Sequence, residues 1–234
     1  MTTTITLNGA ELTLDPSGAL WWPQARCLVV ADLHLEKGSS YALVGRMLPP
    51  YDTRATIERL AIVLRRYRPD RVIALGDSFH DGDARSRMAE DDAERLTRLV
   101  RDHDWIWIEG NHDPSPPVEL GGRVEAELSM DPLVFRHEAS KDGRGEVCGH
   151  FHPKAAVRAR GRRISGRCFV TDGTRLVLPA FGAYTGGLDA LDPAIAGLFD
   201  GVARIYLIGR EGIYLFGADR LERAVRGEIP FPVR

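Results

Sequence analysis

Three short apolar runs, each followed closely by acidic, amide or histidine residues, constrain the fold of this chain most. The runs cover residues 27–31, 72–75 and 105–108 and are rich in β-branched and aromatic residues. Runs of this length and composition predict buried strands, because they are too short for independent helices. The intervening segments predict helices, with helical spacing at Ile57, Leu60, Ala61 and Leu64 behind a capping Asp52, and at Ala89, Ala93, Leu96 and Val100.

The order strand, helix, strand, helix, strand predicts parallel strands joined by right-handed crossovers. In such a sheet the carboxyl ends of the strands lie at one edge, where open α/β sheets hold ligands. The polar residues after the three runs are therefore expected to converge there. They are Asp32 and His34 after the first run, Asp77 after the second, and Asn111, His112 and Asp113 after the third.

Two later apolar runs add candidate ligands. Residues 132–136 end at His137, and residues 145–148 precede Gly149-His150-Phe151-His152. His80, close behind Asp77, belongs either to a loop turn or to the rim of the site. Five of the seven histidines lie in these motifs or directly after a run, namely His34, His112, His137, His150 and His152.

The residue types in these motifs favour a pair of divalent metal ions. Two cations about 3.5 to 4 Å apart can neutralise a phosphodiester, generate a hydroxide and stabilise the attacking and leaving oxygens. Such a pair needs a bridging carboxylate, for which Asp77 is the natural candidate. A set of imidazole, carboxylate and amide groups without thiolate suits Mn, Fe or Zn better than a structural zinc or a calcium ion.

The ordered motifs resemble the calcineurin-like metallophosphoesterase superfamily over residues 27–152. The resemblance implies an α/β/β/α four-layer sandwich with two mixed sheets, and hydrolysis by a metal-bound hydroxide. It also implies that His112 is a general acid or stabilises the transition state, and that Asp113 orients it. The implied ligands of one metal are Asp32, His34 and His152, those of the other are Asn111, His137 and His150, and Asp77 bridges the two.

The chain also resembles a narrower bacterial group, the ligase-associated DNA damage response endonucleases. Five segments carry this resemblance, at residues 31–38, 75–81, 109–113, 149–153 and 178–187. It implies a DNA endonuclease linked to DNA repair, with DNA as substrate and DNA ligase and helicase as repair partners. Two divalent metal ions are the implied cofactors, with Mn²⁺ as the first expectation and Fe or Zn as alternatives. The alternative functions are a small-molecule phosphodiesterase or phosphomonoesterase, and a metallophosphoesterase-like scaffold without turnover.

A cluster of arginines follows the last motif and bears on the substrate. The guanidinium group is suited to bidentate phosphate contact, so the cluster could track a nucleic-acid backbone. A solvated turn is the other interpretation, because the chain has only three lysines and uses arginine almost everywhere. The candidate substrate-binding residues are His80, Arg160, Arg162 and Arg163. The full cluster is Arg158, Arg160, Arg162, Arg163 and Arg167.

Composition narrows the class of protein without naming a substrate. The 234 residues, 44% of them hydrophobic, predict one metallophosphoesterase domain over residues 1–234. A formal net charge of −2 excludes a globally basic nucleic-acid binder but not a local basic patch. The N-terminus lacks a signal-peptide pattern, and no apolar run approaches about 20 residues, so we expect a cytoplasmic protein. Cys27, Cys148 and Cys168, odd in number and far apart, argue against a disulfide framework.

The C-terminal half predicts more β structure within the same domain. Residues 168–171 and 175–178 flank Asp172-Gly173, which is a hairpin signal. Residues 203–208 and 213–216 flank a second turn at residues 209–212. These hairpins are expected to form the second sheet. Residues 179–202 predict a long connection that shapes the rim of the site.

Overall fold

The computed structural model describes residues 1–49, 51–116, 118–159 and 161–223, and in them the chain forms two β-sheets that pack face to face. The first sheet contains, in spatial order, β1 (Thr3–Leu7), β2 (Ala10–Leu14), β3 (Leu20–Trp22), β4 (Cys27–Ala31), β5 (Arg71–Leu75), β6 (Asp104–Ile108) and β7 (Arg123–Glu125). The second contains β8 (Glu127–Met130), β9 (Leu133–Arg136), β10 (Glu146–Cys148), β11 (Lys154–Ala159), β12 (Arg162–Thr171), β13 (Arg175–Val177), β14 (Arg204–Ile208) and β15 (Ile213–Gly217). The helices are α1 (Lys37–Leu43), α2 (Asp52–Tyr67), α3 (Ala84–Arg87), α4 (Glu90–Arg101) and α5 (Pro193–Ala196), with 3-10 turns at Val118–Leu120 and Ala218–Arg220.

The strands β4 to β7 form the parallel half of the first sheet. Ala31 pairs with Leu75, and Leu75 pairs with Ile108, so the last residues of β4, β5 and β6 lie side by side. Helix α2 connects β4 to β5, and α4 connects β5 to β6. The three predicted strands and the two predicted helices are confirmed. Their connectivity brings the polar residues that follow β4, β5 and β6 to one edge of the sheet.

The predicted cap of α2 is wrong. The helix begins at Asp52, and Tyr51 occupies the N-cap position without a side-chain hydrogen bond to the helix. The Asp52 carboxylate instead accepts a hydrogen bond of 2.9 Å from the backbone N–H of Gly38. An acidic residue in the first turn still interacts favourably with the helix dipole. Asp52 therefore ties the start of α2 to the start of α1.

Three apolar clusters define the layers of the molecule. The cluster between the sheets joins residues such as Val29 and Ile106 of the first sheet to Phe135 and Phe169 of the second. A second cluster lies between the first sheet and helices α2 and α4. A third covers the outer face of the second sheet, where Ile195 of α5 packs. The α/β/β/α sandwich is confirmed, although its last layer is one short helix with its flanking segments.

The second sheet is mixed. Strand β10 pairs in parallel with β9 and β13, whereas β12, β14 and β15 pair antiparallel. Both predicted hairpins form, the first between β12 and β13 and the second between β14 and β15. Strand β12 begins earlier than predicted, at Arg162, because its first half pairs with β11. The resulting β11–β12 hairpin carries Arg158, Arg162, Arg163 and Arg167 of the arginine cluster.

Two further expectations concern the whole chain. The cysteines Cys27, Cys148 and Cys168 are buried and free, which agrees with the absence of a disulfide framework in the prediction. In the described ranges, no helix combines the length and the apolar character needed to cross a membrane.

Strands β1 to β3, which the sequence patterns do not predict, extend the first sheet by antiparallel pairing.

Candidate metal centre

The candidate ligands lie on loops that hydrogen bonds fasten together at the edge of the two sheets. The backbone N–H of Asp32 donates to the Gly76 carbonyl at 3.3 Å, and that of His34 donates to the Asp77 carbonyl at 2.8 Å. These bonds continue the parallel pairing of β4 and β5 beyond the ends of the strands. The Gly149 N–H donates to the His137 carbonyl at 3.0 Å, which joins the loops after β9 and β10. Each pair of loops is therefore held as one unit.

One group of donor atoms is formed by Asp32, His34, Asp77 and His152. One ligand atom from each of these side chains lies within 4.8 Å of the others. The Nε2 atoms of His34 and His152 are 3.2 Å apart, and His152 Nε2 is 3.4 Å from Asp32 Oδ1. The structure thus brings together the three residues assigned to one metal by resemblance, with Asp77 beside them.

A second group of donor atoms lies on the other side of Asp77. Asn111 Oδ1 is 2.9 Å from His137 Nε2 and 2.9 Å from His150 Nδ1, and those two nitrogens are 3.2 Å apart. The His137 Nδ1–H donates to the Leu75 carbonyl at 3.1 Å, so its Nε2 is the nitrogen that faces the group.

Asp77 belongs to both groups. Its Oδ2 lies 3.8 Å from His34 Nε2 in the first group, and its Oδ1 lies 3.4 Å from His137 Nε2 in the second. The carboxylate therefore presents one oxygen to each side, which is the placement that a bridging ligand requires.

The spacing of these atoms fits divalent metal ions. Ligands about 2.1 Å from one ion are separated by about 3.0 Å in octahedral and about 3.4 Å in tetrahedral geometry. Within the two groups, the separations between His34 and His152, His137 and His150, and Asn111 and His137 lie between 2.9 and 3.2 Å. The donor set of imidazole, carboxylate and amide groups also suits a divalent transition metal. The seven candidate residues could hold two such ions.

Backbone strain is concentrated at these ligands. Among the residues that the structure describes, ten non-glycine residues have positive φ, and five of them are candidate ligands: Asp32, His34, Asp77, His150 and His152. The left-handed conformation costs an L-residue about 1–2 kcal/mol and persists only where the surroundings enforce it. The sharp turns that this conformation makes aim the five side chains into the site.

The electrostatics of the groups keep two of the ligand imidazoles, His34 and His150, in the form that can bind a cation. Burial, and then the neighbouring His152, lowers the pKa of His34, while burial and His137 lower the pKa of His150. Neutral imidazole is the form that binds metals. His137 differs: burial opposes its charge, but Asp77 and Asp32 prevail and raise its pKa to about 9. Without a cation, the His137 imidazolium balances the two carboxylates.

His112 lies beside both groups. Its backbone N–H donates to Asp77 Oδ1 at 2.9 Å, and its ring packs edge-on against His34 with centroids 5.2 Å apart. Its Nδ1–H donates to the His80 carbonyl at 2.9 Å, and the two histidine rings stack at 5.2 Å. Burial, then Lys37 and His112, lowers the pKa of His80 to about 4. The structure thus brings His80 to the site, next to His112.

Asp113 is buried, and its described hydrogen bonds go to the backbone. Its Oδ2 accepts from the N–H groups of Ser78 at 2.8 Å and Phe79 at 3.0 Å. Burial, with the nearby Asp77 charge, raises the pKa of Asp113 to about 7 although these N–H groups oppose the shift. The role of Asp113 as the partner that orients His112 stays a prediction. Asp113 would orient His112 indirectly: it binds the N–H groups of Ser78 and Phe79, and the carbonyl of the next residue, His80, accepts from the His112 ring.

The structure does not bring Arg158, Arg162 or Arg163 to the donor groups. Arg160 lies outside the described residues, and Arg162 is exposed beside the turn of the β11–β12 hairpin. The six residues of β11 place this turn about 20 Å along the strand from His152. Arg158 pairs with Glu222 at 2.7 Å, and Arg163 lies 3.9 Å from the same residue. Arg162 and Arg163 as substrate-binding residues stay predictions.

Arg167 is set apart from Arg158, Arg162 and Arg163 by its hydrogen bonds to backbone carbonyls. Its guanidinium donates to the carbonyls of Ala180 at 2.7 Å and Ser17 at 3.1 Å. Burial, and then the nearby Arg59, lowers its pKa to about 10. Arg167 therefore holds chain segments together and is not a solvated side chain, which corrects the interpretation of the cluster as one surface.

Residues 180–187, at the start of the predicted long connection, pack directly on the ligand loops. The N–H groups of Phe181 and Gly182 donate to the carbonyls of Ala31 and Asp32 at 2.7 and 3.1 Å. A Cβ added at Gly182 would lie 2.1 Å from the Leu33 carbonyl oxygen, and one at Gly187 would lie 2.1 Å from that of His152. Residues 179–202 were expected to shape the rim of the site, but the direct support of the ligand loops by their first residues was not predicted. The sequence signal for this support is the set of glycines within residues 178–187.

Comparison with known families identifies the chain. A family model described as calcineurin-like phosphoesterase matches residues 25–174. The chain belongs to this family. The match covers every candidate ligand and both His112 and Asp113, so this phosphoesterase has its donor groups within the family region. A search of curated proteins found no match.

Solved structures similar to this phosphoesterase include a nuclease. The nuclease MPE of Pseudomonas putida shares 31% sequence identity with it at a TM-score of 0.73, over 92% of this chain and 100% of the other. The phosphoesterase Yfce of E. coli shares 15% identity at a TM-score of 0.43, over 81% of this chain and 97% of the other. The second likeness is too weak to carry an argument.

We expect Gly187→Ala to weaken metal binding. The added methyl group would displace the His152 carbonyl, and changes in residues that support ligands typically lower metal affinity about 10- to 100-fold. The matched control is Gly186→Ala, because a Cβ at Gly186 meets nothing within 4 Å. Isothermal titration with MnCl₂ compares the two variants with the unaltered protein. Equal affinities for both variants would contradict the support that we assign to residues 180–187.

Proposed function

We propose that this phosphoesterase is a dinuclear metal-dependent phosphodiesterase, and that it acts on DNA as an endonuclease in repair. The observation that carries the proposal is the Asp77 carboxylate, with one oxygen toward each of two donor groups. Two divalent ions, when bound, would supply positive charge to a phosphodiester and lower the pKa of a water molecule. Asp32, His34 and His152 would hold one ion, Asn111, His137 and His150 the other, and Asp77 both.

His112 would serve the leaving group in this proposal. Its Nδ1–H is occupied by the His80 carbonyl, which leaves Nε2 as the ring atom that can donate a proton. Its backbone N–H on Asp77 fixes the ring beside both donor groups. A positioned acid of this kind accelerates the departure of a basic alkoxide such as a nucleotide oxygen.

DNA is proposed as the substrate on two grounds. The P. putida protein, similar over 92% of this chain at 31% identity, is described as a nuclease. The β11–β12 hairpin also extends beyond the donor groups and carries arginines that suit a phosphate backbone. Mn²⁺ as the metal, an endonucleolytic mode, DNA ligase and helicase as partners, and a cytoplasmic location are parts of this proposal that rest on the sequence resemblance.

The direct test offers purified protein with Mn²⁺ three substrates side by side: single-stranded DNA, duplex DNA and bis-p-nitrophenyl phosphate. We expect cleavage of the aryl ester and of internal bonds in at least one DNA. Activity on the aryl ester alone would favour a small-molecule phosphodiesterase, and no turnover on any substrate would favour a scaffold.

Asp77→Asn should abolish turnover and lower the bound metal below two ions per chain. The amide is nearly isosteric and keeps an oxygen for the His112 N–H, so the fold should persist, but it cannot bridge two cations as a carboxylate does. Metal content by mass spectrometry and hydrolysis of bis-p-nitrophenyl phosphate are the measurements. Asp83→Asn, exposed in the same loop region, is the control for the charge change. If the Asp77→Asn variant hydrolysed the substrate as fast as the unaltered protein, the dinuclear proposal would be wrong.

His112→Ala should lose much more activity on DNA than on bis-p-nitrophenyl phosphate. General acid catalysis contributes about 10²- to 10⁴-fold, and a less basic leaving oxygen such as p-nitrophenolate needs it less. Asp113→Asn should show a milder form of the same difference. The measurement is kcat on both substrates at normal metal content, and equal losses on both would refute the role of His112.

Arg162→Glu combined with Arg163→Glu should raise the KM for DNA relative to that for bis-p-nitrophenyl phosphate, which is too small to span from the donor groups to the hairpin turn. For every phosphate that the variant no longer binds, the slope of log affinity against log salt should also fall by about 0.7 for a single strand. The control pair is Arg65→Glu with Arg98→Glu, both exposed on the outer helices α2 and α4. If the hairpin and control pairs behave alike, the hairpin arginines are solvated surface.

A further inference from the structure

Two of the three lysines in the chain lie beside loops that carry candidate metal ligands, and the charge of one acts on the other. Lys37 begins α1, three residues after His34, and its Nζ lies 5.7 Å from the centre of the Tyr41 ring. The Tyr41 ring in turn lies 5.6 Å from the His80 ring, which stacks on His112. Lys154 begins β11, two residues after His152, and its Nζ donates to the Thr185 carbonyl at 3.2 Å. Most basic residues of the chain are arginines, so the presence of two of its three lysines next to the candidate ligands is notable.

The two ammonium groups lack a carboxylate partner. Across residues 1–49, 51–116, 118–159 and 161–223, neither lies within ion-pair distance of an aspartate or glutamate. Asp52 is the carboxylate that acts on Lys37, but one of its oxygens already accepts from the Gly38 N–H. Burial lowers the pKa of both lysines, and Arg167 and Lys37 lower that of Lys154 further.

The arrangement around Lys154 gathers positive charge. Lys154 lies directly opposite Arg167 in the β11–β12 ladder, and like charges directly opposite each other destabilise a sheet. Arg59 is a third cation in this region. Its guanidinium lies over the Phe181 ring at 5.0 Å, and its positive charge lowers the pKa of Arg167. Partly buried cations without a carboxylate at ion-pair distance are unfavourable for stability, so the arrangement would gain from an anion.

We propose that Lys154 and Lys37 form a phosphate subsite that binds a non-reacting phosphate next to the scissile one. This inference rests on the proposed function, in which the scissile phosphate lies at the donor groups. The described contacts of Lys154 lead away from those groups, toward Thr185 and Arg167, whereas Lys37 lies on the side of His80. In this proposal the two lysines contact the neighbouring phosphate of the same strand, beside the donor groups that hold the scissile one.

The subsite would make the enzyme select oligonucleotides over esters with a single phosphate. Ammonium groups bind phosphate oxygens by charge-assisted hydrogen bonds, which are about twice as strong as neutral ones. The hairpin arginines, about 20 Å from the donor groups, would contact more distant phosphates and cannot provide this discrimination. Recognition of the adjacent phosphate thus depends on the lysines.

The test compares the thymidine dinucleotide TpT, which has one phosphate, with the trinucleotide TpTpT, which has two, in the presence of Mn²⁺. We expect kcat/KM of the unaltered enzyme to rise about 10-fold or more with the second phosphate, as one charged hydrogen bond allows. Lys154→Met and Lys37→Met should each lose most of that rise. Lys154→Arg, which keeps the charge, should recover part of it. Lys141→Met, which removes the third, exposed lysine, should keep it in full.

A binding measurement makes the outcome independent of turnover. Fluorescence anisotropy of a labelled single-stranded oligonucleotide, with metal removed by chelator, should give a salt slope that is smaller by about 0.7 for Lys154→Met than for Lys141→Met. Metal content of each variant, measured in parallel, shows that the donor groups are intact.

The possible failures are distinguishable. No rise from TpT to TpTpT in the unaltered enzyme, or a rise that survives in Lys154→Met, overturns the subsite and leaves the proposed function standing. Equal losses on TpT and TpTpT would assign the lysines to the scissile phosphate and also overturn it. If no phosphodiester is cleaved, the proposed function fails, and the salt slopes alone then decide whether Lys154 binds phosphate.

Discussion

The burial of two carboxylates at one edge of the sandwich is the constraint on which the rest of the site depends. Asp32 is completely buried and Asp77 is 2% exposed. Negative charge taken out of water must be compensated, and backbone N–H groups contribute: His150 donates to Asp32, and His112 donates to Asp77. The imidazolium of His137, with its pKa raised to about 9 by these carboxylates against the effect of burial, supplies the rest. A divalent cation would take over this role and release the proton.

The geometry that holds these charges is strained, and the sandwich supports the strain. Ligands in the left-handed conformation are stable only because neighbouring backbone fixes them on both sides. The loops after β4 and β5 are hydrogen-bonded to each other, and residues 180–187 close over them through Gly182 and Gly187. The apolar core between the sheets gives these loops a rigid base. Precision at the site is therefore a property of the whole edge and not of any one motif.

The sequence predicts the parallel strands, the helices α2 and α4 and the donor groups for one physical reason. Buried parallel strands are continuous apolar runs, and the residues that follow them meet at one edge. The hairpin of β1 and β2 was missed although its signal was present, since Asn8-Gly9 adopts positive φ at both positions between alternating strands. The pairing of Lys154 with Arg167 carries no such local signal. It depends on the register between β11 and β12, which only the folded ladder defines.

The two donor groups draw on both sheets, with Asp32 and Asp77 following strands of the first and His137, His150 and His152 following strands of the second. His34 and His152, whose Nε2 atoms are 3.2 Å apart, are 118 positions apart along the chain. A bound ion would therefore act as a cross-link that closes a very long loop, in a protein whose cysteines form no such link. Cross-links of this kind restrict the unfolded chain most when the loop is long. With metal bound, the two sheets could separate only with loss of the ion, so the candidate metal centre would also stabilise the packing of one sheet on the other.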